Sequence, residues 1–167
     1  IFDRGAHPEV ILDRLSRHHR VDIQWGNHDI LWMGAAAGSE ACILNVLNVS
    51  LQYGNLDVIE NGYGINLRPL AMFAEKAYAN SPLECFRPRT GGKGDSRDDE
   101  LVARIHKATV VMQFKAEGAL IDRNPDFGME GRRLLDKIDY AAGSIELGGR
   151  VYTLRDSDFP TIDPADP

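Results

Sequence analysis

The 167 residues, 43% hydrophobic and 26% charged, have the balance of one ordinary domain or a piece of a larger one, and exclude a disordered chain. Lys and Arg total 19 against 25 Asp and Glu, a net charge of −6 that argues against nucleic-acid binding through a basic surface. The longest apolar-looking run, Ala41 to Leu51, is broken by Asn45, Asn48 and Ser50, so it offers no membrane span.

The opening Ile1-Phe2 shows no basic-then-apolar leader pattern and reads as a strand already under way, so the chain is expected to be an internal piece of something longer. Asp3-Arg4-Gly5 makes the turn that follows. Pro8 then suits the first position of a helix, and Val10, Ile11 and Leu15 recur at helical spacing up to Arg17. Val21, Ile23 and Trp25 alternate with Asp22 and Gln24, the period of a half-buried strand. Strand, helix and strand in so short a span predict a βαβ unit with its two loops on one sheet edge. A helix from Ile30 to about Ala37 follows.

Leu70, Phe73, Ala74, Ala77 and Tyr78 form the next helical face, opened by Pro69. Ser81 to Arg97 is irregular, with Pro82, Pro88 and the Gly91-Gly92-Lys93-Gly94 loop, which fails the phosphate-loop pattern at two positions. Ser96 is the expected N-cap of a long helix whose stripe is Leu101, Ile105, Ala108, Met112, Ala116 and Ala119, ending near Arg123. Gly148-Gly149 between Ser144–Leu147 and Arg150–Leu154 signals a tight hairpin. Val151 to Pro167 carries one Arg and four Asp, and its three prolines make the end an extended connector. The two cysteines, Cys42 and Cys85, fit a reducing cytoplasm.

The chemistry sits on two turns, Asp3-Arg4-Gly5 and Gly26-Asn27-His28-Asp29. Each follows a predicted strand, and the carboxyl edge of such a unit is where open α/β sheets bind ligands. The residue types suit phosphate-ester hydrolysis. Arg4 offers a permanently charged fork for phosphate oxygens. Asn27 supplies a hard neutral oxygen for a divalent metal. His28 is placed to give a proton to a leaving alkoxide, with Asp3 orienting its ring. From average residue usage, Gly-Asn-His-Asp arises by chance in about one chain in a thousand of this length, so the pair of turns is a specific signal.

These turns resemble the second and third motifs of the calcineurin-like metallophosphoesterases, G-D-x-x-D-R-G and G-N-H-[DE]. Val21 to Gly38, Asn124 to Ile138 and Phe159 to Asp163 resemble, more narrowly, the bacterial class III fructose-1,6-bisphosphatases over essentially the whole chain. The resemblance implies manganese-dependent hydrolysis of the 1-phosphate of fructose 1,6-bisphosphate to fructose 6-phosphate, a gluconeogenic step. Two metals would activate the attacking water. It implies Asn27 as metal ligand, His28 as proton donor, Asp3 as its carboxylate partner, Arg4 as phosphate contact and a structural Asp29. The elements together make an α/β (α+β) fragment: an α/β segment over 1–37, part of the catalytic core on this resemblance, a mainly helical insertion over 38–157 ending in a hairpin, and a connector over 158–167.

The bridging Asp of the second motif would precede Ile1, and the D-x-H and G-H-x-H motifs are absent from these residues. The chain alone is therefore expected to be inactive, with the remaining segments of the parent polypeptide as its partners. A homo-oligomer built on the helical region, about Leu51 to Asp139, is the alternative from another class, as a non-catalytic assembly or regulatory module. A superfamily phosphatase of different substrate class is the alternative within the first. His18-His19 reads as solvated surface, His106 as a helix flank, and Arg132-Arg133 as a solvated face.

Overall fold

A computed structural model describes residues 7–89 and 96–155 of the chain. Five helices carry it: α1 (Pro8–Ser16), α2 (Asp29–Ala36), α3 (Glu40–Tyr53), α4 (Arg68–Ala77) and α5 (Ser96–Arg123). A π-helical turn spans Val58–Gly62 between α3 and α4. The strands follow as β1 (Ile138–Asp139), β2 (Ser144–Leu147) and β3 (Arg150–Thr153), one antiparallel sheet in that order. The expected α+β mix is therefore present, with helices first and a small sheet after. The hairpin has the expected form: Leu147 pairs with Arg150 across Gly148 and Gly149, whose φ of 58° and 76° suit a turn only glycine enters freely. Ile1-Phe2, the Gly91 to Gly94 loop and the 158–167 connector lie outside the described residues.

The expected strand over Val21 to Trp25 is not formed, which corrects the βαβ reading as far as these residues reach. Residues 21–26 carry no regular hydrogen bonding, and Val21, Ile23 and Trp25 are all exposed. An alternating pattern becomes a strand only when a neighbour takes its N–H and C=O groups. Its expected neighbour, Ile1-Phe2, lies outside the described residues.

The core forms where α3, α4 and α5 meet. Leu51, Ala74, Tyr78, Ile105, Ala108, Val111 and Leu135 make the main cluster, and Val46, Ile59 and Leu67 a smaller one against α2. The middle of α5 is enclosed on more than one side, so polar residues are buried there with the apolar ones. Thr109 donates to the Asn48 side-chain oxygen, Asn48 to Gln113, and Gln113 to Glu117 at 2.6 Å. Lys107, only 1% exposed, holds its ammonium 5.2 Å from the Tyr78 ring centre and 5.9 Å from that of Phe86. Such burial of a cation is tolerable where aromatic faces and polar groups replace water.

Helix α3 is the element the sequence pattern hides, because Asn48 and Ser50 occupy core-facing positions. It ends where Gly54 turns left-handed, φ 70°, and the Asn55 N–H donates back to the Ser50 carbonyl at 2.8 Å. The packing of α2 on α3 turns on Gly34. A Cβ built there would lie 2.5 Å from Cys42 Sγ and 3.1 Å from its Cβ. Gly34→Ala is therefore expected to lower stability by about 1–3 kcal/mol through overpacking. Adding Cys42→Ala should return most of that loss, and a double-mutant cycle in urea measures it. Strictly additive losses would show that the two helices part freely.

Candidate active-site corner

The Gly26-Asn27-His28-Asp29 turn is the entry to α2. The Gly26 N–H donates to Asp29 Oδ2 at 2.9 Å, and the Leu31 N–H to the His28 carbonyl at 3.1 Å. Asp29 thus satisfies a backbone donor at the start of the helix and places negative charge near its positive end, the structural part expected of it. Asn27 is exposed and His28 half-buried on the same turn. Asp3 and Arg4 lie outside the described residues, so the Asp3–His28 pairing does too.

Other residues weighed from sequence fall into place around this. His18 and His19 lie beyond the end of α1 rather than on it, exposed, with rings stacked 4.7 Å apart. His106 is buried rather than flanking, its Nδ1 2.8 Å from the Phe86 carbonyl oxygen. Arg133 reaches Asp122 and Asp136 at 2.6 Å each, so its fork is engaged by carboxylates rather than solvated. It lines a cavity of about 160 Å³ with Phe114, Lys115 and Leu134.

A second set of polar residues gathers around Glu9, which no sequence motif marks. His7 caps α1 with φ 56°, the one non-glycine residue with positive φ among the described residues. Its Nδ1 lies 3.1 Å from Glu9 Oε1. The other Glu9 oxygen is buried without a hydrogen-bond partner among the described residues. That carboxylate rests on Gly62, where a Cβ would come within 3.1–3.3 Å of it. Tyr63 follows, its ring centre 6.3 Å from that of Trp32. Its phenol is pushed above the usual value near 10, first by burial and then by the charges of Glu9 and Asp13. The ring therefore stays a neutral O–H across the ordinary pH range.

Among the described residues no three His, Cys, Asp or Glu side chains gather to hold a metal. Of the residues that the resemblance assigns to a metal, Asn27 is described and offers one exposed amide oxygen. Among the described residues no helix is long and apolar enough to cross a membrane.

The family described as Firmicute fructose-1,6-bisphosphatase matches residues 1–167, the whole chain. The chain belongs to that family. Proteins named fructose-1,6-bisphosphatase class 3 are similar to it along its entire length. That of Clostridium novyi (strain NT) is 55% identical over 168 residues, and that of Clostridium tetani (strain Massachusetts / E88) 54% over 168. That of Bacteroides fragilis (strain ATCC 25285) is 51% identical over 170 residues. Each match covers 100% of this chain but 25–26% of the relative, so the chain spans about a quarter of the length of the curated relatives it matches. No solved structure matches the chain. The family membership agrees with the class III resemblance of Val21–Gly38 and Asn124–Ile138.

Proposed function

We propose that the protein, at the length of its relatives, is a cytoplasmic fructose-1,6-bisphosphatase that releases the 1-phosphate of fructose 1,6-bisphosphate in gluconeogenesis. The carrying observation is the family match over every residue, with Asn27 and His28 adjacent at the mouth of α2. On this reading Arg4 grips the phosphate and His28 protonates the departing sugar alkoxide, held in orientation by Asp3. Asn27 offers one neutral oxygen to a manganese ion, whose charge would offset that of the phosphate. The other metal ligands come from segments beyond these residues.

The domain plan follows from the same reading. Residues 1–37 belong to a metallophosphoesterase sandwich, in which Val21 to Trp25 finds its strand neighbour. Residues 38–157 form a helical insertion closed by the hairpin, and 158–167 connect onward.

The test is phosphate release from fructose 1,6-bisphosphate with manganese present, by the full-length protein and by the 167-residue chain side by side. Full-length activity with an inert chain is the expected result. An active chain would move the metal ligands away from the motifs, and two inactive proteins would overturn the substrate.

A further inference from the structure

Helix α2 has no polar face. Beyond Asp29, residues Ile30 to Ala36 include no charged, amide or hydroxyl side chain. A helix at a protein surface keeps a polar side toward water, and one that is apolar all round belongs inside. One side of α2 is already covered, because Leu31, Trp32 and Ala35 pack against the cluster of Val46, Ile59 and Leu67. At the helical repeat, Ile30 and Met33 share the opposite side. They stand open, 47% and 53% exposed.

The segment leading into α2 makes the same demand by other means. Val21, Ile23 and Trp25 alternate and are exposed, and among the described residues no strand takes up the backbone groups of residues 21–25. Unpaired N–H and C=O groups beside alternating apolar side chains suit the edge of a sheet. A helix reached by a short turn from a strand packs back on the sheet that holds the strand. The sheet that pairs with 21–25 is therefore the surface on which Ile30 and Met33 would close. Its face toward them has to be apolar, since neither offers a partner to a buried polar group.

We propose that the outer side of α2 is the docking face for a β-sheet carried by the rest of this polypeptide, so that α2 becomes a buried layer between that sheet and α3. At the length of its relatives the polypeptide holds about three-quarters of its residues outside this chain. A tethered partner meets the face at an effective concentration of about millimolar, which favours it over a second copy. The turn from Gly26 to Asp29 joins the two contacting elements, so docking fixes both of its ends. This extends the domain plan from the strand to the helix beyond it and does not depend on the substrate.

The experiment compares the full-length protein with the 167-residue chain, each carrying Met33→Cys or Ile30→Cys. Alkylation by iodoacetamide is followed by fragment-ion mass spectrometry, which separates the new thiol from Cys42 and Cys85. The new thiol should react freely in the chain alone and about tenfold or more slowly in the native full-length protein, with the rate restored in urea. Independently, Met33→Lys should lower the thermal midpoint of the full-length protein by about 4 °C or more. The same change should move that of the chain alone by about 2 °C or less. Circular dichroism checks that each variant is folded. Equal alkylation rates in the two proteins, or equal midpoint shifts, would overturn the interface. Protection that disappears when a full-length oligomer is diluted to monomer, followed by light scattering, assigns the face to a second copy and overturns it too. An active phosphatase with a freely reacting thiol strikes the interface alone, and an inactive one with a protected thiol strikes the substrate reading alone.

Discussion

With His28 replaced by alanine, the full-length protein is expected to lose about 10²- to 10⁴-fold in kcat toward fructose 1,6-bisphosphate, with KM nearly unchanged. The departing sugar oxygen leaves as a strongly basic alkoxide, and a donor at hydrogen-bond range lowers the barrier only as that charge develops. His28→Gln should fail equally, because an amide keeps the size of the ring but has no proton to transfer. The loss should shrink for p-nitrophenyl phosphate, whose phenolate leaves without needing a proton. That contrast separates proton donation from damage to the site, which would depress both substrates alike. Stability should move by no more than about 1 kcal/mol, since His28 is half-buried at a helix entry and fills no core position.

How much of the site was legible depends on what each residue's role requires. Asn27, His28 and Asp29 sit on one turn, so on the proposed reading their roles are carried by a four-residue string, and the Asp29 carboxylate on the Gly26 N–H is a local hydrogen bond. The Glu9 cluster gave no such signal. Glu9 reads as a helpful acid in the first turn of α1, and Gly62 as one more turn glycine. Only the approach of α1 to the π-helical turn, far along the chain, turns the first into a half-buried carboxylate with one oxygen enclosed and sets it against the second. His106 shows the same limit: a position beside an apolar stripe is exposed on a lone helix and buried when the turn carrying Phe86 packs against it.

The fold divides along similar lines. Helices opened by proline, α1 and α4, and the hairpin at Gly148-Gly149 were readable because a single backbone restriction fixes each. Helix α3 was not, since its buried face carries Asn48 and Ser50, and the partners of Asn48 lie far along the chain on α5. The strand expected over Val21 to Trp25 failed in the opposite sense. Its pattern is correct for pairing, yet pairing is a property of two segments, and the described residues hold only one.

The largest loss of stability is expected at Leu51, which is fully buried where α3 meets α4 and α5. Leu51→Ala removes apolar surface and leaves a void that Tyr78, Ile105 and Val111 cannot all move to fill. The cost should be about 3–4 kcal/mol, within the usual range for buried leucines. Thr109→Val keeps the shape of the buried seam but strands the Asn48 oxygen, for about 1–3 kcal/mol. Val46→Ala, in the smaller cluster against α2, should cost less than either of these. Urea unfolding of the chain followed by circular dichroism should show the midpoints falling in that order with the slopes unchanged. If Val46→Ala proved the costlier truncation, the α2–α3 contact would be the main core and the three-helix seam its satellite. The Asn48–Thr109 bond would then serve to fix the register of α3 on α5 more than to hold the two together.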